Sequence, residues 1–171
     1  MYRGKLRVPT TSRLLSGIPD GEAGVRVTLG HMVALKKTYR THPTIRALAM
    51  RIIRRCPSKD ALCEARSIHE FVKRRVRYCH DIVDVETLQT PVVTLELGQG
   101  DCDDSSLLLA ALAESVGIRA RFVAMGFSSR RGFSHVMAEL QVYGNWLAGE
   151  CTEQWELGEQ RATPIKRIVE G

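Results

Sequence analysis

One cysteine of this chain stands where an apolar helix begins. In GQGDCDDSSLLLAALAESVGIRARFV, from Gly98 to Val123, Cys102 precedes a run in which Leu107, Leu108, Leu109, Ala110, Ala111, Leu112 and Ala113 are apolar nearly all round. That pattern belongs to a helix buried inside a domain. Gly98 and Gly100 break the chain before it, and Gly117 supplies the stop after it. A thiol at a helix N-terminus faces the positive end of the dipole, which favours the nucleophilic thiolate. Asp101, Asp103 and Asp104 oppose that effect, so a nearby imidazolium must do most of the stabilising. Carboxylates are expected at a helix start for capping, and these three lack the ligand spacing of a calcium loop, so no metal is assigned to them. The plain alternative is a small buried cysteine that only packs.

A proton acceptor follows. Phe133 to Val142, FSHVMAELQV, alternates apolar and polar residues and predicts a strand. His135 shares one face with Met137, Glu139 and Gln141, while Val136, Ala138, Leu140 and Val142 form the other. A turn at Tyr143, Gly144 and Asn145 leads into a returning strand, Asn145 to Glu150. Such a hairpin allows His135 and Glu150 to lie side by side. Cysteine, histidine and a carboxylate make a nucleophilic triad of Cys102, His135 and Glu150: the base takes the thiol proton, the acid fixes the base, and a thioester forms. The oxyanion would be held by the Cys102 backbone N–H at the helix start and by a second donor upstream. Gln99, three residues before the nucleophile, ranks ahead of Gln89 for that second role. His31, His42, His69 and His80 read as surface or helix histidines, His69 being the one that a helix flank would partly bury.

The elements that must position these residues are legible in outline. Residues 1–22 are punctuated by Pro and Gly and read as extended, with a turn cluster at SGIPDGEAG. Val25 to Thr38 is ambiguous, a strand followed by a short helix being one solution. HPTIRALAMRIIRRC starts a helix at Pro43, with Ile45, Leu48, Ala49 and Ile52 on one face, and Pro57 ends it. Leu62, Ala65, Ile68 or His69, Val72 and Val76 line a second amphipathic helix. Arg77 to Leu97 reads as irregular, and the tail after Thr152 is open between disorder and docking.

From Ala61 to Thr152 the chain resembles the transglutaminase-like (papain-like cysteine) superfamily, in particular short single-domain proteins of bacterial prophages. The resemblance is carried by a helix ending in VRY, the GDCDD turn, LLAALAESVGIRARFV, the SHV strand, and Trp146 followed by Glu150. It implies an α+β fold: a cysteine-bearing helix packed on an antiparallel sheet that bears the histidine and acid, with N-terminal helices added. In this family the 77–97 stretch forms one wall of the cleft, which puts Gln89 there. Asp101 and Trp146 are assigned to the same cleft, although Trp146 and Phe133 also frame the hairpin as structural residues. The family's third residue is usually aspartate; here it is Glu150, followed by Cys151. The implied domain plan is a basic extension over 1–60 that wraps the core, a catalytic core over 61–152 and a tail over 153–171, together one compact domain.

Composition sets the remaining bounds. The chain has 171 residues, 44% of them hydrophobic, enough for one core. It has no apolar run of the roughly 20 residues that span a bilayer and no signal-peptide-like start, so a cytoplasmic or virion-associated protein is expected. Five cysteines without a small-scaffold pattern read as reduced, with no disulfide framework and no zinc pair. Neither a cofactor nor a metal is expected. The net charge is +6, yet residues 1–60 hold 13 Lys and Arg against 3 Asp and Glu, so the excess lies in that third. These basic residues are not interleaved with aromatics, so nucleic acid is not the favoured partner. The expected partners are a protein or peptide substrate and, from the prophage resemblance, a phage structural protein. Hydrolysis of a peptide, isopeptide or amide bond is the leading function. Transglutaminase-type amine transfer and a non-catalytic assembly module that keeps the fold are the alternatives.

Overall fold

The computed structural model describes residues 21–79, 87–128, 130, 132–160 and 164–171, with the backbone of 13–14. Apart from Arg13–Leu14, the N-terminal Pro/Gly-punctuated stretch up to residue 20 lies outside the described residues, as does His80. In chain order the elements are β1 (Arg13–Leu14), α1 (Gly21–Tyr39), α2 (Pro43–Ile52), α3 (Ala61–Arg75), β2 (Arg77–Tyr78), β3 (Thr87–Leu88), α4 (Pro91–Leu97), β4 (Gln99–Gly100), α5 (Cys102–Ser115), β5 (Ala120–Gly126), β6 (His135–Val142), β7 (Asn145–Gly149) and β8 (Lys166–Glu170).

The axis of the fold is α5. Leu107 through Ala113 are fully buried, which is why this helix has no polar face. On one side it is covered by α1, α2, α3 and α4, and on the other by β5 and β6. The sheet is antiparallel throughout, in the order β7-β6-β5-β8. Phe122, Ala124, Ala138, Leu140, Val142 and Ile168 join α5 in one core. Val123, Met125, Met137 and Ala148 form a small second cluster. This is the α+β architecture with N-terminal helices expected from the sequence.

Several local readings change. Val25 to Thr38 belongs to a single helix, α1, whose buried Leu29, Met32, Leu35 and Lys36 recur at helical spacing. The β-branched Val25, Val27, Thr28 and Val33 gave the strand signal, and packing against α5 overrides it. The stretch read as irregular contains α4: Thr90 caps it, Pro91 opens it, and Gly98 at φ +64° ends it. The tail docks as β8 on the edge of β5, pairing Val169 with Val123. Between β6 and β7 a two-residue loop, Tyr143 and Gly144 at φ +49° and +83°, sets the register that pairs Val142 with Asn145.

The cysteines also depart from expectation. Cys56 and Cys63 form a disulfide, with Cα atoms 5.7 Å apart. A 3-10 turn (Ile53–Arg55) and the start of α3, capped by Asp60, fold the chain back on itself and bring the two together. Cys79, Cys102 and Cys151 are free.

Candidate active site

The start of α5 is fixed by a capping box. Asp101 Oδ1 accepts the N–H groups of Asp103 and Asp104 at 2.9 and 3.0 Å, and Asp104 Oδ2 accepts the Asp101 N–H at 3.4 Å. Asp104 is buried, and its Oδ1 accepts the backbone N–H of Gln89 at 2.8 Å, tying α5 to the segment between β3 and α4. Gly100 permits this close fit, because a Cβ there would lie 2.7 Å from the Asp104 Cβ. Cys102 is thus the first residue of a helix whose position is set from two sides.

On the sheet side, β6 runs past the last pair it makes with β7, Ala138 with Gly149. Beyond that pair α5 takes hold of the strand: the Val136 N–H donates to the Cys102 sulfur, and Ser106 Oγ donates to the Val136 carbonyl at 3.3 Å. Gly149 lets α5 approach, since a Cβ there would meet Leu109 Cδ2 at 2.5 Å. His135, the neighbour of Val136, lines the same cavity of about 390 Å³ as Cys102. Its Nε2 is 2.5 Å from Glu150 Oε2, with the two side chains 9% and 2% exposed. Glu150 follows β7 directly, and its second carboxylate oxygen accepts the Thr152 N–H at 2.9 Å and the Thr152 hydroxyl at 2.6 Å. The His69 ring Nε2 is 2.7 Å from the Glu150 carbonyl oxygen.

Electrostatics separate the three groups. Burial pushes the Cys102 thiol up, and the carboxylates of Asp103 and Asp101 push it further; of the main influences only the Val136 N–H acts the other way. The sulfur accordingly donates to Asp103 Oδ1 at 3.4 Å. These influences favour the protonated thiol over the thiolate that the helix dipole favours. Burial works against the charge of Glu150 too, but the hydrogen bond and charge of His135 and the two bonds from Thr152 prevail and hold its pKa below the ordinary value.

The other residues singled out from the sequence fall as follows. Asp101 lines the cavity beside Cys102. Gln89 is anchored through its N–H to Asp104, while its side-chain oxygen is buried with no hydrogen-bond partner among the described residues. Gln99 sits in β4, where its side-chain oxygen accepts from Arg77 at 3.1 Å, and it is not among the described residues lining the Cys102 cavity. Trp146 lies at the start of β7 under the guanidinium groups of Arg121 and Arg119, and lines a separate cavity with Lys36, Arg40 and Gly171. Phe133 lines the Cys102 cavity.

Other contributors were not read from the sequence. The first turns of α1 wall the cavity with Gly21, Gly24, Val25, Thr28 and Leu29, a region whose strand-like composition hid its role. Tyr78 pairs with Gly100 across the parallel β2 and β4 strands. Burial raises the pKa of its hydroxyl, and the negative charges of Asp101, Asp103 and Glu150 add to this, which marks it as a neighbour of the site. Thr152 was detectable only as a hydroxyl two residues beyond the acid. Among the described residues no group of three or more His, Cys, Asp or Glu converges in a way that could hold a metal ion. No described helix is long and apolar enough to cross a membrane.

The sequence profile that matches the chain, over residues 46–151, is that of the Transglutaminase-like superfamily. No curated protein matches. Among solved structures the chain is similar to a candidate cysteine protease from Cytophaga hutchinsonii, with a TM-score of 0.56 and 17% identity over 82% of this chain and 55% of that one. It is also similar to a candidate protease from Parabacteroides distasonis, with a TM-score of 0.58 and 12% identity over 81% of this chain and 27% of that one. The chain thus spans about half of the first structure and about a quarter of the second. At these identities the likeness is one of fold.

Proposed function

The chain belongs to the transglutaminase-like superfamily, and from that premise we propose that it is a thiol-dependent acyl-transfer enzyme hydrolysing a peptide, isopeptide or amide bond. The observation that carries this reading is the His135–Glu150 pair, 2.5 Å apart, on a cavity that also holds Cys102 at a helix start. With Nε2 facing Glu150, Nδ1 is the ring nitrogen left to receive a proton. In the proposed reaction His135 Nδ1 takes the proton of the Cys102 thiol as the sulfur attacks the substrate carbonyl carbon. The oxyanion is held at the helix start by the Cys102 N–H. The tetrahedral intermediate collapses to a thioester, and the leaving amine takes the proton from His135. Water, deprotonated by His135, then attacks the thioester and releases the acid and the thiol. Glu150 keeps the imidazole in one tautomer and stabilises its cation.

A peptide-like substrate is favoured by the far wall of the cavity. Gly21 leaves open space on that wall, and Val25, Leu29, Ala124 and Phe133 offer apolar contact to an acyl-side residue. Amine transfer remains the second reading, because a thioester accepts either nucleophile and Asp101 and Asp103 border the sulfur with charge that suits an ammonium group.

The test is a peptide library incubated with wild type and with Cys102→Ser, with and without a primary amine, and read by mass spectrometry. Cleavage by wild type alone is expected. Equal patterns for both proteins would remove the enzyme reading, and amine-exchanged products exceeding cleaved ones would select the transfer reading.

A further inference from the structure

We infer that His69 and Lys73, four residues apart on one face of α3, are positioning residues that hold the backbone of the segment carrying Glu150. This rests on the triad reading above. The need for such a hold is visible in the topology. The strand pairing of β7 ends at Gly149, and the following stretch, residues 150–155, has no strand or helix of its own. Yet Glu150 must meet His135 within hydrogen-bond distance. Thr152 fixes the carboxylate from inside the segment. From outside, α3 grips the segment at two carbonyls: His69 Nε2 lies 2.7 Å from the Glu150 oxygen, and Lys73 Nζ donates to the Trp155 oxygen at 2.5 Å. Residues four apart on a helix stack on one face, so a single rigid element supplies both donors.

The chemistry of His69 supports a donor role rather than a packing one. The residue is 1% exposed, and its Nδ1 is buried with no hydrogen-bond partner among the described residues. A carbonyl can only accept, so Nε2 carries the proton and the neutral ring leaves Nδ1 as a bare acceptor. Burial pulls the ring's pKa down and the charge of Lys73 adds to this; the bond to the Glu150 carbonyl and the charges of Glu70 and Glu150 pull the other way without prevailing. A buried polar atom with no partner costs stability that a leucine of similar size would not. The position bears that cost while delivering one hydrogen bond to the backbone of the proposed catalytic acid. Lys73 likewise has a side chain only 8% exposed, and Glu70 balances its charge at 2.8 Å.

Glutamine and asparagine separate the two ring nitrogens. The side-chain amide nitrogen of glutamine reaches about as far as Nε2, and that of asparagine only as far as Nδ1. The experiment compares His69→Leu, His69→Gln, His69→Asn and Lys73→Met in full-length protein. One readout is the downfield proton resonance of the His135 Nε2–H···Glu150 bond. The other is the pH profile of Cys102 modification by a peptidyl electrophile. In His69→Leu the resonance is expected to shift or broaden, the pH profile to move, and the rate to fall about 10- to 100-fold, the scale of a misplacement near 1 Å. His69→Gln restores both readouts, and Lys73→Met shifts them in the same direction by less. If His69→Leu does not fold, the amide pair decides: His69→Gln behaves as wild type and His69→Asn does not. Unchanged resonance and profile in His69→Leu with only a lower Tm, or equal damage in the Gln and Asn variants, overturns the inference. A separate control keeps the triad reading apart: if Glu150→Gln modifies Cys102 as fast as wild type, that reading fails, whereas a slow Glu150→Gln with a normal His69→Leu defeats only the positioning role.

Discussion

Replacing Glu150 by glutamine tests the proposed site at its most constrained point. The carboxylate has one oxygen on His135 at 2.5 Å and the other on the Thr152 N–H and hydroxyl at 2.9 and 2.6 Å. Glutamine can keep its oxygen on Thr152, which forces its NH2 group toward His135. The imidazole must then accept at Nε2 and carry its proton on Nδ1, so the nitrogen facing the nucleophile no longer accepts. A triad held in the wrong tautomer loses about 10⁴ in turnover, or roughly 5.4 kcal/mol of barrier. Stability should change far less, by about 1–3 kcal/mol, because one charge-assisted hydrogen bond is replaced and no cavity is made. The sign of the pH effect follows from the depressed pKa of Glu150. Its stabilisation is present above about pH 4.5, the ordinary value, and is lost as pH falls through the folded pKa. Wild type should therefore show this acid-side loss and the glutamine variant should not. The assay is mass-mapped modification of Cys102 by a peptidyl electrophile across pH, in a Cys79→Ser background because Cys79 is exposed. Each unit by which the apparent thiol pKa rises lowers labelling tenfold at a fixed pH below it. Equal labelling of variant and wild type over the whole range, with an intact fold, would refute the tautomer reasoning.

Two further outcomes follow from groups outside the triad. His69 is held neutral among Glu70, Lys73 and Glu150, with a pKa below its ordinary 6.5. In the window opening at about pH 6.5 and closing at the folded pKa, the unfolded chain binds a proton that the folded chain does not. Unfolding free energy should fall there by up to roughly 1.4 kcal/mol per pH unit. Urea titrations of His69→Gln should lack that component, and an identical slope would show that another group supplies it. For the Cys56–Cys63 bond, a sequence separation of 7 implies a loop-closure stabilisation of roughly 2.5 kcal/mol. Cys63→Ser or reduction should lower Tm accordingly, and an unchanged Tm would mean that the covalent link adds nothing to α3.

The sequence disclosed the parts of this molecule whose signals are local. The leucine-rich helix after Cys102 is apolar on every face, and only a central position can satisfy it. The alternation from Phe133 to Val142 and the Tyr143–Gly144 turn define the hairpin that brings His135 and Glu150 together. What stayed hidden depends on distant contacts. The valines and threonine of α1 favour a strand locally, and the helix wins because its Leu29, Met32 and Leu35 are buried in the core around α5. Gln99 stands close to Cys102 in sequence, but the pairing of β4 with β2 delivers its side chain to Arg77. Trp146 is four residues from Glu150, yet an extended strand of that length places it at the opposite end of β7. The Cys56–Cys63 disulfide depends on a chain reversal that a cysteine count cannot contain. His69 carried no motif, and its place under Glu150 arises from the packing of α3 against the end of the sheet.

The state of the thiol links the geometry to the way the proposed chemistry must proceed. Burial and two aspartates raise the pKa of the Cys102 thiol and favour its protonated form, and the sulfur donates to Asp103. The base and acid, by contrast, are already joined at 2.5 Å. A site with a standing thiolate–imidazolium pair would need a positive environment at the sulfur, and here the nearest charges are negative. In the proposed reaction proton transfer to His135 accordingly accompanies attack on the carbonyl, with the developing oxyanion drawing on the N–H groups of the helix start. The Val136 N–H already directed at the sulfur eases that step by favouring charge there. In the proposed reaction Cys102 is thus activated as the substrate is attacked, while His135 and Glu150 are already joined through the pairing of β6 with β7.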